Sequence, residues 1–229
     1  MDRELPNDIS FDQWVEYVFD HPVLDHQWWF HLDDSEYYQH WDEDADGALT
    51  LTYMADLFRN PAFLMKHYDR PQIDQGLNFL VSNSCSNHML LLRDETVPWP
   101  LRQSCIHAMS NLYAELMAPV YGDDLAHSRD GPGDPERPND ACYMWWDAIP
   151  LYGGLRHSGI TEAVFRVFDE TLNLRSEACL ESVLHGLGHW HLYYPERAGE
   201  MVRRFLAVRQ EVSEQLRAYA RQAAVGGVQ

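Results

Sequence analysis

The stretch Ser176–His191, "SEACLESVLHGLGHWH", decides how this chain is read. Its last ten residues, Ser182–His191, lie over Ser104–Tyr113, "SCIHAMSNLY", without a gap. Serine meets serine, Ile106 meets Leu184, and His107 meets His185. Ala108 meets Gly186, Met109 meets Leu187, and Ser110 meets Gly188. A weaker third copy is Asp74–Leu80, "DQGLNFL", with Gly76 and Leu77 on Gly186 and Leu187. Glycine inside a helix costs about 1 kcal/mol against alanine, so it needs a reason. Close approach of a neighbouring helix is the simplest one.

Outward from that stretch, the apolar residues recur with the period of a helix. Ser10 is the expected N-cap of a segment whose stripe is Phe11, Trp14, Val15 and Val18, ending before Pro22. Further helices are expected in "LTYMADLFRNP", "PAFLMKHY", "RPQIDQGLNFLVSN", with Pro71 in its first turn, and "VPWPLRQSCIHAMSNLYAELMAP". "GPGDPERPND", Gly131–Asp140, is the clearest loop. After it come "NDACYMWWDAI", "GITEAVFRVFDETLNL", the opening stretch, and one long run from Pro195 to Ala224. Residues 223–229 read as a frayed tail. No segment alternates as a strand over enough residues to build a sheet. The expectation is a single all-α domain over residues 1–229, acidic and less repeat-like over 1–60.

Paired helices joined by a short turn, "SEACLESVLHGLGHW" and then "YYPERAGEMVRRFL" with the turn at Tyr193–Pro195, resemble HEAT-like α-helical repeats. The resemblance covers residues 98–222. It implies an irregular α-solenoid of antiparallel helical pairs that binds proteins along a concave face, and it implies no catalytic residues. "NDACYMWWD" and "HGLGHWH" also resemble stretches of bacterial proteins and imply no activity.

Composition narrows the function. Hydrophobic content of 45% with 13% aromatics belongs to a globular chain. The longest apolar runs, such as Met89–Leu92, are far below a membrane span. "MDRELPNDIS" shows no secretory signal, so a soluble cytoplasmic protein is expected. Cys85, Cys105, Cys142 and Cys179 form no CxxC pair and read as thiols. The net charge of −19 argues against nucleic acid and anionic membrane as partners. Residues 1–60 hold fifteen acids against Arg3 and Arg59. From Glu196 to Arg221, six arginines face four glutamates. A basic protein is therefore the expected partner, and composition leaves the oligomeric state open.

Three clusters could carry chemistry. His185 and His189 stand at i and i+4, on one helix face, the spacing for two imidazoles on one metal. The glutamate base of an H-E-x-x-H helix is missing, and the intervening residues are Gly186, Leu187 and Gly188. Packing explains this pair better, with neither metal nor cofactor expected. Asp42, Asp44, Asp46 and Gly47 match the first half of a calcium loop, but Tyr53 stands where its bidentate glutamate belongs. Tryptophans form the third cluster: Trp28, Trp29, Trp41, Trp145 and Trp146, with Trp99 and Tyr143 beside them. Adjacent tryptophans on a helix point about 100° apart, so Trp145 and Trp146 should touch different neighbours, either in a buried layer between repeats or with one of them at a groove. These positions are the expected binding surface. No nucleophile elbow, P-loop or dinucleotide fingerprint occurs.

The leading expectation is thus a non-catalytic protein-binding scaffold, in one version an immunity or antitoxin-like inhibitor of a basic partner. The rivals are a metal-dependent hydrolase using His185 and His189 with a carboxylate from the acidic third, and a helical protein with a tryptophan-lined ligand pocket.

Overall fold

A computed structural model describes residues 9–25, 28–30, 46–127, 140–155 and 157–228, and no strand occurs among them. The chain is all-α, as the periodicity predicts.

Helix α1, Phe11–Phe19, starts at Ser10, whose side chain accepts from the Gln13 N–H while the Gln13 side chain accepts from the Ser10 N–H. It buries Trp14, Val15, Val18 and Phe19. Helix α2, Gly47–Arg59, is followed by a 3₁₀ turn at Pro61–Phe63 and the single turn α3, Leu64–His67. Helix α4, Arg70–Val81, packs on α1. A Cβ on Gly76 would lie 2.2 Å from the Phe19 ring, so this glycine is the one residue that lets the two helices meet.

Helix α5, Trp99–Leu112, runs on through a π turn at Tyr113–Met117 into α6, Ala118–Tyr121. Two single turns follow, α7, Asp140–Tyr143, and α8, Trp145–Ala148, and then α9, Ser158–Thr171. Helix α10, Glu177–His191, is capped by Ser176; α11, Pro195–Val208, and α12, Glu214–Ala223, complete the order.

Two helices are central. Helix α5 packs against α2 and α9, while α10 packs against α6, α7, α8, α9, α11 and α12. The two aligned segments, Ser104–Tyr113 and Ser182–His191, therefore fall on these two helices, with α9 touching both. Every residue of α10 from Ala178 to Gly188 is buried, as is Trp190. A helix buried on every side over eleven successive residues can only be an inner one. Each fully buried leucine, valine or phenylalanine stabilises the fold by roughly 1.5–3 kcal/mol, and α10 alone buries Leu180, Val183, Leu184 and Leu187.

The structure departs from two expectations. The run from Pro195 to Ala224 is two helices, broken between Val208 and Glu214. Ser213 caps α12, and the Glu177 carboxylate accepts from both the Ser213 N–H and its hydroxyl. The tail is not frayed up to residue 228: Gly226 turns the chain with φ +71°, and Val228 seats on Gly188, buried. Among the described residues all four cysteines are free thiols, Cys85 half-buried and the others buried. No helix among them is long and apolar enough to cross a membrane.

Candidate metal centre

One face of α10 carries Glu181, His185 and His189, each four residues from the last, so the three side chains form a row. Their fates differ with depth. Glu181 is completely buried and spends its carboxylate on the loop that follows α6, accepting from the N–H groups of Ala126, at 2.7 Å, and His127, at 2.9 Å, and pairing with the His127 ring. His185 is 1% exposed, and the His189 side chain, at the open end of the row, is 40% exposed.

Asp147 completes the set from another element. Helix α8 is one turn, and its first two residues are both drawn inward. Trp145 meets Phe58 edge-on at 6.1 Å between ring centroids, and Trp146 meets Phe168 at 4.6 Å. With successive residues about 100° apart, the third is turned away from that core. Asp147 is accordingly 46% exposed at its side chain. The turn lies close to α10 because of Gly186, where a Cβ would stand 2.7 Å from Cγ of Trp146. The glycine between the two histidines thus brings the aspartate to them.

The Nε2 atoms of His185 and His189 are 3.0 Å apart, and Oδ1 of Asp147 is 3.6 Å from Nε2 of His189. One ligand atom from each residue lies within 4.8 Å of the others. Ligands bound tetrahedrally at 2.0–2.1 Å, the length of zinc–nitrogen and zinc–oxygen bonds, stand about 3.4 Å from one another. The present spacing brackets that value.

Electrostatics favour the same use. Burial, then the neighbouring His189, pushes the His185 imidazole down to about 4 from its ordinary 6.5, against an opposing pull from Asp147. His185 is therefore neutral at pH 7, the form that ligates. Its second nitrogen, Nδ1, lies 2.6 Å from the hydroxyl of Tyr219 on α12. Burial, then the hydrogen bond and charge of Tyr143, pushes the Tyr219 phenol up, so it stays protonated. Two imidazoles and one carboxylate, with two of the three donors at the surface, would leave room for a water or substrate oxygen on a bound ion. That arrangement is typical of a catalytic rather than a structural zinc site.

The other predicted residues lie elsewhere. His191 does not join the ligand set; its ring faces the Gly226 turn. Trp28 and Trp29 are buried, the former stacked on His21 at 3.8 Å and both against Phe79. Trp145 and Trp146 do touch different neighbours, and both neighbours are in the core. These four tryptophans offer no face to a partner, since indole rings recover more by burial than one short helix recovers by showing them. Trp41, Asp42 and Asp44 lie outside the described residues. Asp46 is committed to capping α2, accepting from the N–H groups of Ala48 and Leu49, and the helix that begins at Gly47 takes up the second half of the supposed calcium loop. Tyr53, in that helix, donates its hydroxyl to the Ile9 carbonyl.

Asp147 and Tyr219 were missed in the sequence. The only signal for Asp147 was its place after two adjacent tryptophans, since a turn that buries both must present its next residue outward. Tyr219 left no signal. Comparison with protein families, curated proteins and solved structures finds no match to this chain. The fold and the site define the chain only as an all-α protein with a two-histidine, one-carboxylate cluster.

Proposed function

We propose that this protein is a metal-dependent hydrolase that holds one zinc ion on Asp147, His185 and His189. The observation that carries the reading is the convergence of the Asp147 carboxylate on a helical histidine pair. Zinc suits the donor set, two imidazoles and a carboxylate without thiolate. Held by three protein ligands with a fourth position open, it would lower the pKa of a bound water to about 7 and supply hydroxide as nucleophile. The surface exposure of Asp147 and His189 is where a substrate would reach that hydroxide.

The test starts with zinc content after equilibration and dialysis. About one retained equivalent is expected in the wild type, with clear loss in His189→Ala and Asp147→Asn. The zinc-loaded protein is then compared with chelator-stripped protein on ester, phosphoester and peptide substrates. Hydrolysis lost on stripping and regained on adding zinc is the expected result. A wild type that retains no zinc sinks the reading, and retention without hydrolysis on any substrate class sinks its catalytic half.

A second reading is the protein-binding scaffold, favoured by the net charge of −19 and by the gapless match of Ser104–Tyr113 with Ser182–His191. On it, the helices stack as HEAT-like pairs in the cytoplasm, where free thiols are at home, and a basic partner is steered by the acids. With Trp28, Trp29, Trp145 and Trp146 buried, the anchors would have to be other residues. Capture of a basic protein that is released by rising salt is its test; retention indifferent to salt would reject it.

A further inference from the structure

We infer that Tyr219 is a positioning residue of the metal centre: its hydroxyl holds the proton of His185 on Nδ1, so that Nε2 faces the ion as a lone pair. This rests on the zinc reading above.

An imidazole that ligates a metal is neutral and keeps one ring proton, and His185, 1% exposed, has almost no water to share it with. Nδ1 is 2.6 Å from the Tyr219 oxygen, and Nε2 is 3.0 Å from Nε2 of His189. With the proton on Nε2, it points into the middle of the ligand set and bonds to His189, which closes the site. With the proton on Nδ1, it is donated to Tyr219, and Nε2 is free for a cation. A hydroxyl both donates and accepts, so Tyr219 can serve either arrangement by rotating its O–H. No heavy atom needs to move. In the second arrangement its own proton is free to go to the Tyr143 oxygen, 3.1 Å away.

The phenol is itself held from several sides. His127 stacks on the Tyr219 ring at 4.3 Å and 27°, and the buried Glu181 fixes His127. Tyr143 lies against the His185 ring at 4.6 Å and bonds to the Tyr219 hydroxyl. Thus Glu181, one turn before the first histidine ligand, supports the metal through His127 and Tyr219 without touching it. An outer partner that sets the tautomer of a ligating histidine typically changes metal affinity by 10–100-fold.

Removing the hydroxyl makes the two arrangements unequal. In Tyr219→Phe the metal-free protein keeps its proton on Nε2, bonded to His189, and leaves the Nδ1 lone pair without its donor. Zinc then forces the proton onto an Nδ1 with no acceptor. Tyr143→Phe leaves the Tyr219 oxygen in place to accept from Nδ1 and serves as the control.

The experiment measures zinc affinity by chelator competition in wild type, Tyr219→Phe and Tyr143→Phe, with the metal-free stability of each. The expected result is affinity about 10–100-fold weaker in Tyr219→Phe and near wild type in Tyr143→Phe, with both variants folded without metal. A direct readout is the ring-nitrogen NMR spectrum of histidine-labelled, zinc-loaded wild type, which needs no variant. There, His185 is expected to show a protonated Nδ1 and a zinc-bound Nε2. Wild-type affinity in Tyr219→Phe, or zinc on Nδ1 of His185, overturns the inference while the metal site stands. Absence of zinc binding in the wild type overturns both.

Discussion

At the scale of single residues, His185 combines two properties that conflict in acid. It is buried and neutral, and its pKa lies at about 4 when folded against 6.5 when exposed. Above pH 6.5 it is uncharged in both states and contributes no pH dependence. As the pH falls from 6.5 towards 4, the unfolded chain takes up the proton first, so stability is lost across that window. Acting alone, such a group costs on the order of 2–3 kcal/mol at the acid end. Denaturant unfolding of metal-free protein at pH 7.5 and pH 4.5 should therefore show a drop that is smaller in His185→Gln. An unchanged drop would mean the imidazole is not held neutral by burial. Zinc should likewise be released in the same direction of pH, because protons compete for its ligands.

At the scale of elements, the centre depends on how closely α8 approaches α10. Alanine at Gly186 improves helix propensity by about 1 kcal/mol, but its methyl would meet the rigid Cβ and Cγ of Trp146 at 2.8 and 2.7 Å. Overpacking of this kind costs typically about 1–3 kcal/mol. It also moves the turn that carries Asp147. Gly186→Ala is therefore expected to lose both stability and zinc affinity. Gly188 provides the contrast, since a methyl there would meet Val228, 2.3 Å away, on the C-terminal segment. Gly188→Ala should displace that segment and leave zinc affinity close to wild type. Equal zinc affinities in the two variants would show that the approach of α8 is not what places Asp147.

Helix boundaries were legible where local chemistry sets them. Ser10, Asp69 and Ser176 each cap the helix that the apolar period anticipates. The break between α11 and α12 was not legible, because the Ser213 N–H and hydroxyl are held by Glu177, 36 residues earlier. Nor was the end of the chain, where a glycine-rich segment reads as loose until Gly188 is seen to leave a seat for Val228.

At the scale of the whole molecule, a ligand that binds only the folded state stabilises it. Free zinc at about 100 times its dissociation constant adds about 2.7 kcal/mol. For a chain of this size that is a rise in melting temperature of roughly 5–10 °C. Thermal unfolding with and without zinc should show such a rise in the wild type and none in His189→Ala. An equal rise in both would place the zinc elsewhere.

The sequence by itself determined the helical class, most helix starts and the pairing of His185 with His189, because each is a matter of spacing within one turn or two. It also marked Gly76 and Gly186 as points of close approach without saying what approaches. The tertiary structure alone decided that Phe19 and Trp146 fill those places, that Trp28, Trp29, Trp145 and Trp146 are interior, and that the carboxylate beside the histidines is Asp147 rather than one from the acidic third. The physical reason is the same in each case. Periodicity records which face of a helix is buried, but the partner of that face is chosen by packing between segments 34 to 74 residues apart, as His185 with Tyr219 and Trp14 with His88, and nothing local in the chain encodes that choice.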